Sequence, residues 1–260
     1  MPNINAYERI DGKYDTGLVL LADHAMAAVP AEYGDLGLDP SVFRRHVAYD
    51  IGVEALTRAL ARRLSCPAVL STFSRLLIDP NRGEDDPTLI MKISDGAIIP
   101  ANHPMSVEER ERRLHLFHRP YHDAIDTVIG AAEAAAGKPP LVISVHSFTP
   151  RWKATARPWH AGVLWDSDPR AARPMIEMLA GIDGVIVGDN EPYDGALKGD
   201  TMNRHCMKNG IAHVLLEVRQ DLIADEAGVN LWASRLEPIF ALLNADDQLH
   251  ERRLYPTRTE

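Results

Sequence analysis

Cysteine is scarce: Cys66 and Cys206 are the only two in 260 residues, and neither sits in a C-x-x-C pair. This argues against a disulfide framework and makes a reducing compartment the simpler setting. No stretch approaches the roughly 20 apolar residues of a membrane span. The N-terminal segment Met1–Tyr14 is polar and has no apolar signal core. Both absences lead us to expect a cytoplasmic protein with no membrane partner. An excess of basic residues is missing too, since the formal net charge is -9. Nucleic-acid binding needs a basic face that displaces counterions, so no nucleic-acid partner is expected. Local arginines in a cleft remain free to hold a small anion. Internal repeats, low-complexity tracts and linkers are also absent. Residues 1–260 therefore read as a single domain, long enough to bury a proper core. The polar tail from about Asp246 reads as loosely held.

What the chain does have is an alternation of strand and helix patterns. Gly17 to Ala22 is a short apolar run, read as a buried strand. His46 to Leu64 carries apolar residues at helical spacing until Pro67. Ala68 to Ser71 reads as a strand, and Leu76-Leu77-Ile78 runs into the turn residues Asp79-Pro80-Asn81. Gly83 to Pro104 lacks periodicity and reads as a long loop. Val107 to Ala136 is a long helical pattern opened by a capping box of Ser106 and Glu109. Leu141 to Val145, Gly162 to Trp165, Val185 to Val187 and Ala212 to Val218 complete the strands. Arg170 to Gly181, Thr201 to Asn209 and Val229 to Leu243 complete the helices. Such alternation implies an α/β fold, a three-layer α/β/α sandwich with a central, mostly parallel mixed sheet.

Ligands of open α/β sheets bind beyond the carboxyl ends of the strands. The polar residues placed there suit a metal. His24 ends the first strand, His146 follows Leu141–Val145, Glu217 lies inside the last apolar run, and Asp50 falls in the first turns of the helix after the first strand. Two imidazoles, a carboxylate and a water make a catalytic zinc site, with a further carboxylate as base. The spacing alone is weak, because no H-E-x-x-H helix is present. Taken singly, each histidine is more often a hydrogen-bonded structural residue, and Asp50 an exposed helical acid. Glu217 says more: a carboxylate in A-H-V-L-L-E-V is partly buried and needs a cation, either a metal or Arg219.

Six ordered motifs carry a resemblance. They are A-D-H-A (Ala22 to Ala25), H-V-A-Y-D-I-G (His46 to Gly52), S-R-L-L-I-D-P-N-R (Ser74 to Arg82), S-V-H-S-F-T-P (Ser144 to Pro150), N-E-P-Y-D-G (Asn190 to Gly195) and L-L-E-V-R-Q-D-L (Leu215 to Leu222). On these the chain resembles the N-formylglutamate amidohydrolase family, which is similar in fold to zinc exopeptidases and zinc-dependent cell-wall amidases. The resemblance implies one zinc ion held by His24, Asp50 and His146, with Glu217 as general base or as a fourth ligand. It implies hydrolysis of a small anionic N-acyl amino acid, with N-formyl-L-glutamate yielding formate and glutamate. Arg75, Arg82 and Arg219 are then candidates for the substrate carboxylates, unless they pair internally with Asp79 or Asp221. Asn81, Thr149 and His205 are candidate substrate contacts. The chain departs from the pattern at Asp23, where many members have glutamate, and at Met26 and Ala27, where they have glycine and asparagine.

Other features have blander readings. His115, His118 and His122 share a helix and read as a solvated face beside Arg112 and Arg113, rather than as a second metal face. Trp152, Trp159 and Trp165 read as packing. Two alternatives stand beside the amidohydrolase: a zinc carboxypeptidase or amidase acting on another acyl-amino acid or peptide, and a non-catalytic binding protein on the same fold.

Overall fold

The computed structural model describes residues 4–259. The first three residues of the polar segment Met1–Tyr14 lie outside the described range. In chain order the protein forms β1 (Tyr7–Ile10), β2 (Leu18–Ala22), α1 (Val53–Leu64), β3 (Ala68–Ser71), a small hairpin of β4 (Ile93–Ser94) and β5 (Ala97–Ile98), and α2 (Val107–Arg113). A π turn at Leu114–His118 joins α2 to α3 (Arg119–Ala136). There follow β6 (Leu141–Phe148), a second hairpin of β7 (Arg151–Trp152) and β8 (Thr155–Ala156), β9 (Ala161–Leu164), α4 (Pro169–Ala180), β10 (Val187–Asp189), α5 (Thr201–His205), β11 (His213–Arg219) and α6 (Glu226–Asn244).

The seven-stranded sheet runs β1-β3-β2-β6-β11-β9-β10. It is parallel except where β1 meets β3 and β9 meets β11. Side chains alternate across a pleated sheet. Leu18, Leu20, Ile143, Val145, Val214 and Leu216 therefore pack on one face with Leu56 and Leu60 of α1, Met175 of α4 and Trp232 and Phe240 of α6. Val19, Leu21, Val142 and Leu215 pack on the other face with Tyr121, Ile125 and Val128 of α3 and Met202 of α5. Full burial of one such aliphatic side chain is worth about 1.5–3 kcal/mol. The same alternation turns Ser144, His146 and Glu217 toward the α3 face. It also brings His146 and Glu217 side by side in the β6–β11 register.

Several expectations need correction. The first helix begins at Val53, not at His46, because Gly52 has φ 83° and ends any helical path on its N-terminal side. Asp50 sits in the turn ahead of the helix. The long helix from Ser106 has its expected cap, with Glu109 N–H donating to Ser106 Oγ at 3.1 Å. Its histidines are not a solvated face. His115 is exposed, but His118 and His122 are fully buried. They continue the stripe of Ile125, Ile129 and Ala132, which turns inward at steps of three and four residues. The tail is anchored rather than loose: Leu249 and His250 are buried, Arg252 pairs with Glu133 at 2.6 Å, and Arg258 pairs with Asp194 at 2.7 Å. No helix among the described residues is long and apolar enough to cross a membrane.

Candidate active site

Three loops and two strands converge beyond the carboxyl edge of the sheet. The turn after β2 supplies Asp23 and His24. The turn before α1 supplies Asp50, held there by its N–H donating to the His24 carbonyl at 2.9 Å. The segment after β3 supplies Arg75, Asp79, Asn81 and Arg82. β6 supplies His146 and β11 supplies Glu217. All of these but Asp23 and Asp79 border a cavity of about 560 Å³, together with Trp152, Tyr193 and Asp194. A second cavity of about 620 Å³ lies between α1 and α6, and no histidine or cysteine is among its lining residues.

One ligand-type atom from each of His24, Asp50 and His146 falls within 4.8 Å of the others. The histidine environments are alike. His24 Nε2 lies 2.7 Å from Asp79 Oδ1, and His146 Nε2 lies 2.9 Å from Asp23 Oδ2. A carboxylate accepts, so each Nε2 carries a proton. Burial lowers the pKa of His146, but hydrogen bonds to and charges on Asp23 and Asp50 outweigh it and hold the ring well above the usual imidazole value; a metal on Nδ1 would take the place of its second proton. Both Nδ1 atoms turn to Asp50, with His146 Nδ1 3.0 Å and His24 Nδ1 3.5 Å from Asp50 Oδ2. His24 Nδ1 is buried and has no hydrogen-bond partner. A ligating histidine is usually oriented by a carboxylate on its other nitrogen, and here the arrangement occurs twice.

The supporting carboxylates were not legible as such in the sequence. Asp23 accepts from Tyr121 Oη at 2.9 Å, Ser144 Oγ at 2.9 Å and Thr201 Oγ1 at 2.6 Å besides His146. Asp79 accepts from Arg75 Nη2 at 2.8 Å and from Asn81 N–H at 2.9 Å besides His24. The D-H pair and the I-D-P-N-R segment were visible as motifs, but the long-range partners were not.

Burial alone raises the pKa of both Asp23 and Asp50; hydrogen bonds from and charges on His146 and His24 reverse this, and both acids end below the usual carboxylate range. Glu217 moves the other way. Burial pushes it up to about 8, reinforced by the negative charge of Asp50 and only partly offset by His146, Arg75 and Arg157. Its Oε2 is buried with no hydrogen-bond partner. Asp23, Asp50, Asp79 and Glu217 are each buried, and among the described residues Arg75 is the one guanidinium in ion-pair contact with any of them. The nitrogen–nitrogen–oxygen donor set of His24, Asp50 and His146 suits zinc.

The remaining sequence candidates divide. Arg75 borders the cavity but is spoken for by Asp79 and, at 3.6 Å, by Asp50. Asn81, Arg82 and Thr149 border it too. Asn81 Oδ1 accepts from Thr201 N–H at 3.0 Å, and Arg82 donates only to neutral oxygens, Thr88 Oγ1 and the Asn81 carbonyl. Arg219 and His205 are corrections. Arg219 points to Asp221 two residues on, with Nε 2.8 Å from Oδ1. His205 is inserted against α3, bonded to His122 at 2.7 Å and Asp126 at 2.6 Å. Neither borders the cavity. Trp152, expected as packing, is 54% exposed at the cavity wall.

Comparison with known proteins places this geometry. The family model described as N-formylglutamate amidohydrolase matches residues 16–224. A gene product of Agrobacterium tumefaciens of known structure is 32% identical, with a TM-score of 0.86 over 92% of this chain and 95% of that one. The N-formylglutamate amidohydrolase of Ralstonia eutropha JMP134 shares the fold, with a TM-score of 0.71 at 23% identity over 93% of this chain and 97% of that one. Among curated proteins, none matches the chain. The family match spans the whole set of convergent loops and strands, so the chain belongs to the N-formylglutamate amidohydrolase family.

Proposed function

We propose that the protein is a zinc-dependent amidohydrolase that cleaves a small anionic N-acyl amino acid, N-formyl-L-glutamate being the substrate the site suits best. The observation that carries this reading is the paired arrangement of His24 and His146. Each is tied through Nε2 to a buried aspartate, and each aims Nδ1 at Asp50 beside the unpartnered oxygen of Glu217. His24, Asp50 and His146 would hold the metal. A zinc ion bound there supplies an acidified water and an electrophile for the amide carbonyl.

The protein's own groups do the rest. Asp79 and Asp23 fix the ring orientation and the tautomer of the two histidines. A cation bound beside it would draw the Glu217 pKa down, so that Glu217 takes the proton of the attacking water and passes it to the departing nitrogen as the carbon–nitrogen bond breaks. For N-formylglutamate this releases formate and glutamate. Arg82, with no carboxylate partner among the described residues, Asn81 and Thr149 are the polar wall that orients the substrate. The test combines metal analysis of the purified protein with a formate-release assay on N-formyl-L-glutamate. Stoichiometric zinc and chelator-sensitive formate release are expected. A metal-free protein that still releases formate would remove the metal from the reading, and no release from any N-formyl amino acid would remove the reaction.

A further inference from the structure

Arg157 was not singled out by any motif, and its surroundings are unusual. Only two arginines are buried among the described residues, Arg113 and Arg157. Arg113 is neutralised by Glu109, with Nε 2.8 Å from Oε1. Arg157, 9% exposed, has no carboxylate within ion-pair distance among the described residues. Its Nη1 donates to Thr149 Oγ1 at 2.9 Å and to the Thr149 carbonyl at 3.3 Å. Its guanidinium sits 4.9 Å from the ring centre of Tyr193, 5.7 Å from that of Trp152 and 5.8 Å from that of Phe148. A buried charge without a contacting counter-charge is costly: Arg157 acts on Glu217 only at a distance, so such a group persists where something else completes the opposite sign.

The position says what that is. Phe148, Thr149, Trp152 and Tyr193 all border the cavity that contains His24, Asp50, His146 and Glu217. Arg157 is not itself among the lining residues; it stands behind them, against Thr149 and the three rings, and its planar fork matches a carboxylate through two hydrogen bonds. Low polarity around it strengthens such a pair. Arg82 comes from the other motif, three residues after Asp79 and hence close in the chain to the support of His24. Arg82 borders the cavity and, like Arg157, has no carboxylate in ion-pair contact among the described residues.

We infer that Arg157 is the receptor for the side-chain carboxylate of the substrate, the rings of Phe148, Trp152 and Tyr193 lining the path of its methylenes, while Arg82 takes the carboxylate next to the scissile amide. This rests on the amidohydrolase reading and names the residue that would carry its preference for an acidic amino acid. The feature that limits the substrate to a dicarboxylate is then a residue outside the metal-binding motifs.

The experiment has two arms. The first compares kcat/KM for N-formyl-L-glutamate and N-formyl-L-glutamine, which differ by one charge, in wild type, Arg157→Met and Arg157→Lys. Wild type is expected to prefer the acid at least tenfold. Arg157→Met is expected to bring the ratio near one, through KM for the acid, and Arg157→Lys to give an intermediate ratio. An unchanged ratio in both variants overturns the inference, as does a wild type without preference. The second arm is calorimetric binding of glutarate, which needs no turnover. Arg157→Met is expected to weaken it at least tenfold, and equal affinity overturns the inference. If wild type binds glutarate through Arg157 yet hydrolyses neither amide, the receptor stands and the reaction assigned above falls. Thermal unfolding of each variant checks folding; if the methionine variant fails, the lysine variant decides both arms.

Discussion

His24 Nε2 and Asp79 Oδ1 lie 2.7 Å apart, and this contact, made across 55 residues of sequence, decides which face of the imidazole looks into the cavity. Asp79 accepts at the same time from Arg75 and from the Asn81 N–H, so it cannot move without loosening the whole 74–82 segment. With Asp79 fixed, His24 Nδ1 faces Asp50 Oδ2 at 3.5 Å. Asp79→Asn keeps the shape but can turn its amide nitrogen toward the ring. We expect it to weaken metal binding about 10–100-fold, the usual effect of removing such a supporting partner. Competition with a chromogenic chelator measures this directly, and wild-type affinity would show that the contact is only structural.

Glu217 has the opposite character. It sits beside the metal-binding set without belonging to it. Glu217→Gln preserves volume and removes the proton acceptor. The expected result is a loss of kcat of about 10²–10⁴-fold, with zinc content unchanged. If zinc is lost along with activity, Glu217 is a ligand and the base lies elsewhere.

Gly52 controls where Asp50 stands. A Cβ at this position would meet the Ile223 carbonyl oxygen at 2.2 Å, and φ is 83°. Gly52→Ala is therefore expected to destabilise the protein by more than about 1 kcal/mol. Urea unfolding would show the loss, and because the turn carrying Asp50 must shift, metal affinity should fall with it.

The buried histidines of α3 set an acid limit to stability. Burial lowers the pKa of His122 well below 6.5, with the neighbouring charges of His118, His205 and Arg204 acting in the same direction and Asp23 weakly against. Folded protein keeps this ring neutral while unfolded chain takes up a proton near pH 6.5. Its contribution to stability is thus fully present above pH 6.5 and declines as pH falls below it, by up to about 1.4 kcal/mol per pH unit for one proton. His122→Gln should flatten the slope of unfolding free energy against pH between 5 and 6.5. A slope equal to that of wild type would mean that other groups govern the acid limit.

Much of this architecture was open to reading from residue patterns. Apolar runs ending in Asp23-His24, His146 and Glu217 announced strands whose carboxyl ends carry chemistry, and the order of the motifs led to the family. Less legible was the direction of side chains in helices and turns. His118 and His122 look polar in isolation, yet they extend the apolar stripe through Ile125 and Ile129 and are buried by the sheet. Asp50 was placed in a helix because the periodicity of Val47, Ile51 and Leu56 ignores the backbone reversal at Gly52.

The chain by itself determined the alternation of strands and helices, the parity that turns His146 and Glu217 to one face, and the kinds of donor available, because these depend on local periodicity and residue chemistry. Tertiary structure alone decided the pairings: Asp23 with His146, Asp79 with His24, Arg219 with Asp221 rather than a substrate, and Arg157 with three rings rather than an acid. The physical reason is that charge pairing and desolvation are settled by distance in space. Asp79 and His24, 55 positions apart, and Asp23 and His146, 123 apart, acquire that distance only when the sheet and its loops close around them, and even the short-range choice of Arg219 for Asp221 depends on which way its strand end points.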